Sequence, residues 1–142
     1  MLAVGEDLIQ SSRRWTQQER RRVETHPRDG VSVLQPIEFA SRVNEIILSH
    51  HEYWDGHGYP RGLSGEDIPL AARILALVDA FEAMTLGRPY RDSMSEAEAL
   101  AEIRRCSGTQ FDPKVVAELE AILAKRGIDR PASTAHGTGA KR

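Results

Sequence analysis

The sequence predicts an all-α fold, a single domain built as a helical bundle. Three observations support this class: apolar residues recur at helical spacing, capping motifs precede the apolar stretches, and no segment alternates as a strand does. The chain of 142 residues fits one domain and is long enough to bury a core.

Helix boundaries near the start of the chain are predicted from caps and prolines. Thr16-Gln17-Gln18-Glu19 is a capping-box pattern, so a helix begins there and ends before Pro27. A short helical segment is predicted from Arg28 to Leu34. Another helix follows Pro36, because the next apolar residues and a histidine pair lie at helical spacing: Ala40, Val43, Ile47, His50 and His51.

A long loop and three more helices follow. The segment from Glu52 to Asp67 contains four glycines and a proline, which predicts a loop. Pro69 then begins a helix as its first residue, and this helix reaches about Thr85. Ser95 caps a helix that extends to Arg105. Asp112-Pro113 starts the last helix, which ends near Gly127.

Composition narrows the class of protein. The formal net charge of −2 argues against a protein that binds nucleic-acid polymers. Cys106 is the single cysteine, so no intrachain disulfide can form and a cytoplasmic location is expected. The apolar runs are too short to cross a membrane, so no membrane insertion is expected. The tail 129–142 is small, polar and expected to be disordered, which assigns residues 1–128 to the domain.

His50 and His51 lie three and four residues after Ile47, so both imidazoles are predicted on the buried edge of their helix. At a helix end beside a flexible loop, such a pair is well placed to bind a metal ion. The alternative is a pair of histidines held there by packing and by the helix dipole. Spacing alone leaves both interpretations open.

Asp79 interrupts an apolar run and has mostly small or apolar helical neighbours, so its carboxylate is expected to be partly buried. A buried carboxylate needs a cation or hydrogen-bond donors, because an unpaired one is strongly destabilising. A metal ion could supply the charge, as could Arg73 or Arg88. Taken alone, the position favours the structural ion pair over the metal.

Two further features have both a functional and a structural interpretation. His26 precedes Pro27 at a predicted helix end, where a single histidine is usually a surface residue in contact with the helix dipole. Arg88-Pro89-Tyr90-Arg91 places two arginines around a rigid proline, which suits bidentate contacts to phosphate oxygens. Two solvated loop arginines explain the same segment.

Together these motifs resemble a known family, the HD-GYP domain. The resemblance is carried first by the loop signature His50-His51-Glu52-x-x-Asp55-Gly56-x-Gly58-Tyr59-Pro60. It continues through Val78-Asp79-Ala80-Phe81-Glu82, Arg88-Pro89-Tyr90-Arg91 and Gly108-x-Gln110-Phe111-Asp112-Pro113. The similarity covers about Leu2 to Leu123.

The resemblance implies a bacterial, metal-dependent phosphodiesterase that hydrolyses the second messenger cyclic di-GMP. It implies a helical bundle holding a centre of two or three metal ions, often iron or manganese. The positions that match the family's metal ligands are His26, His50, His51 and Asp79, and those that match its phosphate-binding residues are Arg88 and Arg91. The positions that match the family's signature loop are Asp55, Gly56, Gly58, Tyr59 and Pro60. The part of this loop around Gly58-Tyr59-Pro60 resembles one that in some relatives contacts diguanylate cyclase (GGDEF) domains.

One part of the family pattern has no counterpart in the sequence. The family places a His-Asp dyad upstream, and no His-Asp dipeptide occurs in the 142 residues; family spacing would put its aspartate just before Met1. One hypothesis is a truncated chain that is weakly active or inactive, with one metal ion or none. The other is a regulatory module that binds cyclic di-GMP or GGDEF domains without turnover. Either would expose apolar helix faces, which predicts weak folding or a homodimer.

Overall fold

The computed structural model describes residues 13–34, 41–86 and 93–127. Within these ranges the chain is helical, with no strand and a single isolated bridge between Ser107 and Phe111. The all-α prediction is confirmed. The described elements are α1 (Gln17–Glu24), α2 (His26–Leu34), α3 (Ser41–Ser49), a short 3-10 helix (Gly65–Asp67), α4 (Leu70–Thr85), α5 (Glu96–Arg105) and α6 (Pro113–Lys125).

The predicted caps are present and explain where three helices begin. Thr16 and Ser95 each form a capping box, α1 using Glu19 and α5 using Glu98 as the reciprocal partner. The Asp112 carboxylate accepts a hydrogen bond from the backbone N–H two residues later, and proline occupies the first turn of α6. These caps satisfy backbone donors that have no partner inside the helix.

Three boundaries differ from the prediction. Helix α3 ends at Ser49, before the His50-His51 pair that was predicted to lie on it. Helix α2 begins at His26 rather than Arg28, so Pro27 lies in its first turn, where its missing N–H removes no helical hydrogen bond. Pro69 is the N-cap of α4 rather than its first residue, which is Leu70. The predicted tail, residues 129–142, lies outside the described residues.

The buried core lies between the last three helices. Leu77 of α4, Ile103 of α5 and Val116 of α6 pack together with Phe111, each 4% exposed or less. Helix α4 also contacts α3, which packs against α2, and α2 contacts α1. Helix α4 therefore joins the histidine-bearing segment to the core.

A buried ion pair connects the glycine-rich loop, α4 and α6. An Arg73 Nη atom lies 2.6 Å from an oxygen of the Asp112 carboxylate, with the two side chains 13% and 1% exposed. The same guanidinium lies over the Trp54 ring, 5.8 Å from its centroid. The backbone N–H of Trp54 donates to the Gln110 carbonyl oxygen at 3.2 Å. These contacts fix residues 110–112 against the loop.

Three apolar side chains on one face of α4 are exposed. Leu70, Ile74 and Val78 follow each other at one-turn spacing and are 55%, 44% and 45% exposed. None of the helices in the described part of the chain is both long and apolar enough to cross a membrane.

Replacing Asp112 with Ala should destabilise the protein by about 3–5 kcal/mol, because the buried Arg73 charge would lose its partner. The matched control is Glu66→Ala, which removes an exposed ion pair with Lys114 (side chains 71% and 79% exposed) and should have little effect on stability, because exposed ion pairs contribute little. Urea denaturation monitored by circular dichroism measures both. If the two substitutions lowered the free energy of unfolding equally, the proposed contribution of the buried ion pair to stability would be contradicted.

Candidate metal centre

Three histidines converge where α2 meets the end of α3. His26 is the first residue of α2, whereas His50 and His51 lie in the turn after α3 ends at Ser49. One ring nitrogen from each histidine lies within 4.8 Å of the others. His51 Nε2 is 2.9 Å from His26 Nε2. The three imidazoles are partly buried, so the packing of α2 on α3 creates a compact cluster of nitrogen donors.

Two of these rings are oriented by their own helices. His26 Nδ1 lies 2.6 Å from the Val23 carbonyl oxygen, and His50 Nδ1 lies 2.6 Å from the Ile47 carbonyl oxygen. A carbonyl oxygen only accepts, so Nδ1 carries the hydrogen in both rings and the neutral ring leaves a lone pair on Nε2. Metal-binding histidines commonly donate their other nitrogen to a carbonyl in this way.

The third ring, His51, is packed among other rings. Its centroid lies 3.9 Å from that of His50 and 5.0 Å from that of Tyr59, whose plane is inclined by only 22°. Burial, with the nearby charges of His50 and then His26 as further causes, lowers the pKa of His51 to about 3. Burial, assisted by the Glu24 charge, also raises the pKa of Tyr59 to about 12. At neutral pH, His51 is therefore an uncharged ring.

The donor set suits one transition-metal ion. Imidazole nitrogens are preferred by ions such as Fe²⁺ and Zn²⁺, whereas Mg²⁺ and Ca²⁺ prefer oxygen ligands. Three neutral imidazoles form a workable ligand set and leave a coordination position open for a small molecule. The residues His26, His50 and His51 therefore fit a bound divalent metal ion.

Asp79 is near this cluster but is not part of it. It lines the same cavity as His50 and His51, yet the group of potential ligands among the described residues contains only the histidines. The expectation that Asp79 is partly buried was wrong, because its side chain is exposed on α4. Of the two arginines considered as ion-pair partners of Asp79, Arg73 pairs with Asp112 instead, and Arg88 lies outside the described residues. Positions 73 and 79 point roughly 120° apart around a helix, so one arginine cannot readily serve both directions.

A cavity of about 520 Å³ opens beside the histidines, a size typical of small-molecule sites. Several of the residues that line the cavity were not predicted to belong to a site, because no local sequence pattern marks them. Residues Arg88 and Arg91, predicted to bind phosphate, lie outside the described residues. The cavity is lined by His50, His51, Glu52, Tyr53, Tyr59, Ala76, Asp79, Ala80, Glu82, Ala83, Leu86 and Gln110.

The glycine-rich loop is built from local turns and long-range hydrogen bonds. Asp55 accepts a hydrogen bond from the His57 N–H at 3.0 Å, which lowers the pKa of its carboxyl group, and donates its own N–H to Thr109 at 2.9 Å. Gly56 has φ +85°, a conformation that favours glycine. Pro60 follows a cis peptide bond after Tyr59. The predicted loop is therefore ordered by specific bonds rather than by packing alone.

The helical bundle and its histidine cluster define a member of the HD-domain class. The family model of the HD domain matches residues 4–115, which is most of the chain, so the chain belongs to this family. The resemblance to the HD-GYP domain is confirmed by this match together with relatives that are cyclic di-GMP phosphodiesterases.

Relatives extend the comparison over most of the chain. A cyclic di-GMP phosphodiesterase of Vibrio cholerae is 38% identical over 130 residues, 87% of this chain and 26% of that protein. The response regulator RpfG of Xanthomonas campestris, also a cyclic di-GMP phosphodiesterase, is 38% identical over 127 residues, 88% of this chain and 33% of its own length.

A solved structure has the same fold. It is a phosphodiesterase of Vibrio cholerae specific for cyclic GMP-AMP (V-cGAP3), with a TM-score of 0.64 and 25% identity, covering 89% of this chain and 33% of that one. The chain thus spans between about a quarter and a third of these three relatives.

The metal-free protein should lose stability as the pH falls from about 6.5 to about 3, the unfolded and folded pKa values of His51. In that range the unfolded chain binds a proton that the folded chain excludes, so protonation favours unfolding. Replacing His51 with Gln should flatten this part of the profile. Urea denaturation with a chelator, repeated across the pH range, measures it; parallel profiles for the two proteins would contradict the assignment.

Proposed function

We propose that this chain is the metal-binding part of a phosphodiesterase that hydrolyses cyclic di-GMP. The observation that carries the proposal is the convergence of three imidazoles, two with their Nε2 lone pairs fixed, beside a cavity of about 520 Å³. The relatives named as cyclic di-GMP phosphodiesterases support this substrate. Other relatives are named as specific for 3′3′-cGAMP, so a cyclic dinucleotide is the shared substrate class.

The metal ion would be held by His26, His50 and His51, with Asp79 as a further ligand by resemblance to the family. Iron or manganese is proposed on the same ground. A divalent ion there would supply Lewis acidity, polarising a phosphate oxygen and lowering the pKa of water in the cavity.

The remaining groups of the cavity would bind and orient the substrate. Arg88 and Arg91 are proposed to hold a phosphate, because guanidinium groups make bidentate contacts to its oxygens. The rings of Tyr53 and Tyr59 line the cavity and could stack against a nucleobase, since such stacking is favourable for any base. Holding the diester in one orientation lowers the entropic part of the barrier to hydrolysis.

A second candidate function is a regulatory module that binds without turnover. It is favoured by the separation of Asp79 from the histidine cluster among the described residues. Its partner would be cyclic di-GMP in the cavity, or a GGDEF-domain protein at the loop around Gly58, Tyr59 and Pro60.

The purified chain should bind a divalent metal ion and hydrolyse cyclic di-GMP slowly. The double variant His50→Ala, His51→Ala should lose both properties, since only one of three donors would remain. The control is His57→Ala, which removes an exposed loop histidine with a side chain 84% exposed and should behave as the wild type. Equilibrium dialysis with Mn²⁺ or Fe²⁺ measures metal content, and chromatography measures the products.

The outcomes separate the two functions. Binding of cyclic di-GMP without any hydrolysis would favour the regulatory module over the enzyme. A wild-type chain that binds neither metal nor cyclic di-GMP would contradict both.

The exposed face of α4 supports the further proposal of a homodimer. The chain should form concentration-dependent dimers in sedimentation velocity, because association would remove Leu70, Ile74 and Val78 from water. Ile74→Glu should abolish the dimer. Ile122→Glu, at an exposed apolar residue of α6 (49% exposed), should leave it intact. A wild-type chain that stays monomeric throughout the concentration series would contradict this proposal.

A further inference from the structure

The carboxylate of Glu52 is buried directly beside the histidine cluster. Glu52 follows His51 in the chain and is 3% exposed. Its two oxygens accept backbone hydrogen bonds from Arg61 at 2.8 Å and from Leu63 at 3.0 Å. A buried carboxylate is stable only when such donors satisfy it. Glu52 therefore binds a later part of the glycine-rich loop, residues 61–63, to the start of that loop.

The arginine side chain in the same segment makes a second connection. A single nitrogen of the Arg61 guanidinium lies 2.6 Å from the hydroxyl oxygen of Ser49, which is fully buried, and 3.0 Å from the carboxylate of Glu45, which is exposed. The segment 61–63 is therefore held at the end of α3, where the two histidines begin.

Between Glu52 and the segment 61–63, the loop crosses the backbone of residues 51–53. A Cβ atom at Gly58 would lie 2.5 Å from the His51 carbonyl oxygen and would also overlap the Tyr53 nitrogen, so only glycine fits. The next residue, Tyr59, donates its N–H to the His51 carbonyl oxygen at 3.1 Å. Its ring stacks on the His51 ring, as described above.

His51 depends on this stack more than the other two histidines do. His26 and His50 are each oriented by a carbonyl oxygen three residues earlier in the chain. Within residues 13–34, 41–86 and 93–127, the hydrogen bond of the His51 ring runs from Nε2 to His26, and its Nδ1 has no partner. The orientation of His51 must therefore come from its packing, and Tyr59 is the ring that covers it from the loop.

We propose that Glu52 is a positioning residue of the histidine centre: by closing the loop, it holds Tyr59 on His51 and aims the His51 imidazole at His26. The inference rests on the proposed function only in its metal readout. Glu52 itself is not one of the potential ligands, because among the described residues the group of converging donor atoms consists of His26, His50 and His51.

Glu52→Gln tests the proposal with an almost isosteric side chain, because the amide nitrogen cannot accept the second backbone hydrogen bond. Co²⁺ affinity, titrated by the visible absorption of the bound ion, should fall by about 10- to 100-fold, as for other residues that orient metal ligands. The matched control is Glu45→Gln, because Glu45 also contacts Arg61 but is exposed. The Co²⁺ affinity of this variant should equal that of the wild type. An unfolding midpoint lowered with unchanged Co²⁺ affinity and spectrum would overturn the proposal.

Tyr59 provides a second pair of variants in case Glu52→Gln does not fold. Tyr59→Phe keeps the ring and should retain the wild-type Co²⁺ affinity, whereas Tyr59→Leu removes it and should weaken binding. The double variant Glu52→Gln, Tyr59→Leu should bind Co²⁺ as tightly as the single variant with the lower Co²⁺ affinity, since both changes act through one contact. Wild-type affinity in Tyr59→Leu would overturn the proposal.

A readout without metal keeps this inference separate from the proposed function. In the wild type the Tyr59 ring current should shift the His51 ring-proton resonances, measured by NMR. Glu52→Gln should move them toward random-coil values, and Glu45→Gln should not. If the wild type bound no Co²⁺, the proposed function would fail while these shifts still decided whether Glu52 positions His51.

Discussion

Gly58 lies against the backbone of residues 51–53 so closely that no Cβ could be accommodated, and this crossing governs how the Tyr59 and His51 rings are placed in the site. The loop can stay there because the Glu52 carboxylate binds the backbone of Arg61 and Leu63. The crossing places the Tyr59 ring against the His51 ring. The negative charge of Glu24 on α1 contributes to the raised pKa of the Tyr59 hydroxyl. A single loop therefore connects α1, the histidine cluster and the cavity wall.

The part of the cavity wall formed by Gln110 depends on a different buried charge. Asp112 caps α6 and also neutralises Arg73, whose guanidinium covers Trp54 of the same loop. Because Trp54 bonds to the backbone of Gln110, the cap of a distant helix determines where that side of the cavity lies. Fold stability and site geometry are thus coupled through one ion pair, since separating its members would leave a buried charge unsatisfied.

Local sequence patterns predicted most of the fold but only part of the site. The caps at Thr16, Ser95 and Asp112 depend on residues within one helical turn, which a sequence displays directly. The burial of Asp79 was predicted from neighbours on its own helix, and it failed because burial depends on what other elements cover that face. The partners of Glu52 lie nine and eleven residues away across a folded loop, so no spacing rule could identify its role.

The same distinction divides the three metal-binding candidates. The orientations of His26 and His50 are each determined within their own local backbone, by a carbonyl oxygen three residues earlier. The orientation of His51 depends on a tertiary contact, because the loop that carries Tyr59 must fold back over the chain to cover the His51 ring. A change in the loop would then displace one nitrogen donor while two stay in place, so metal affinity would be reduced in steps rather than abolished.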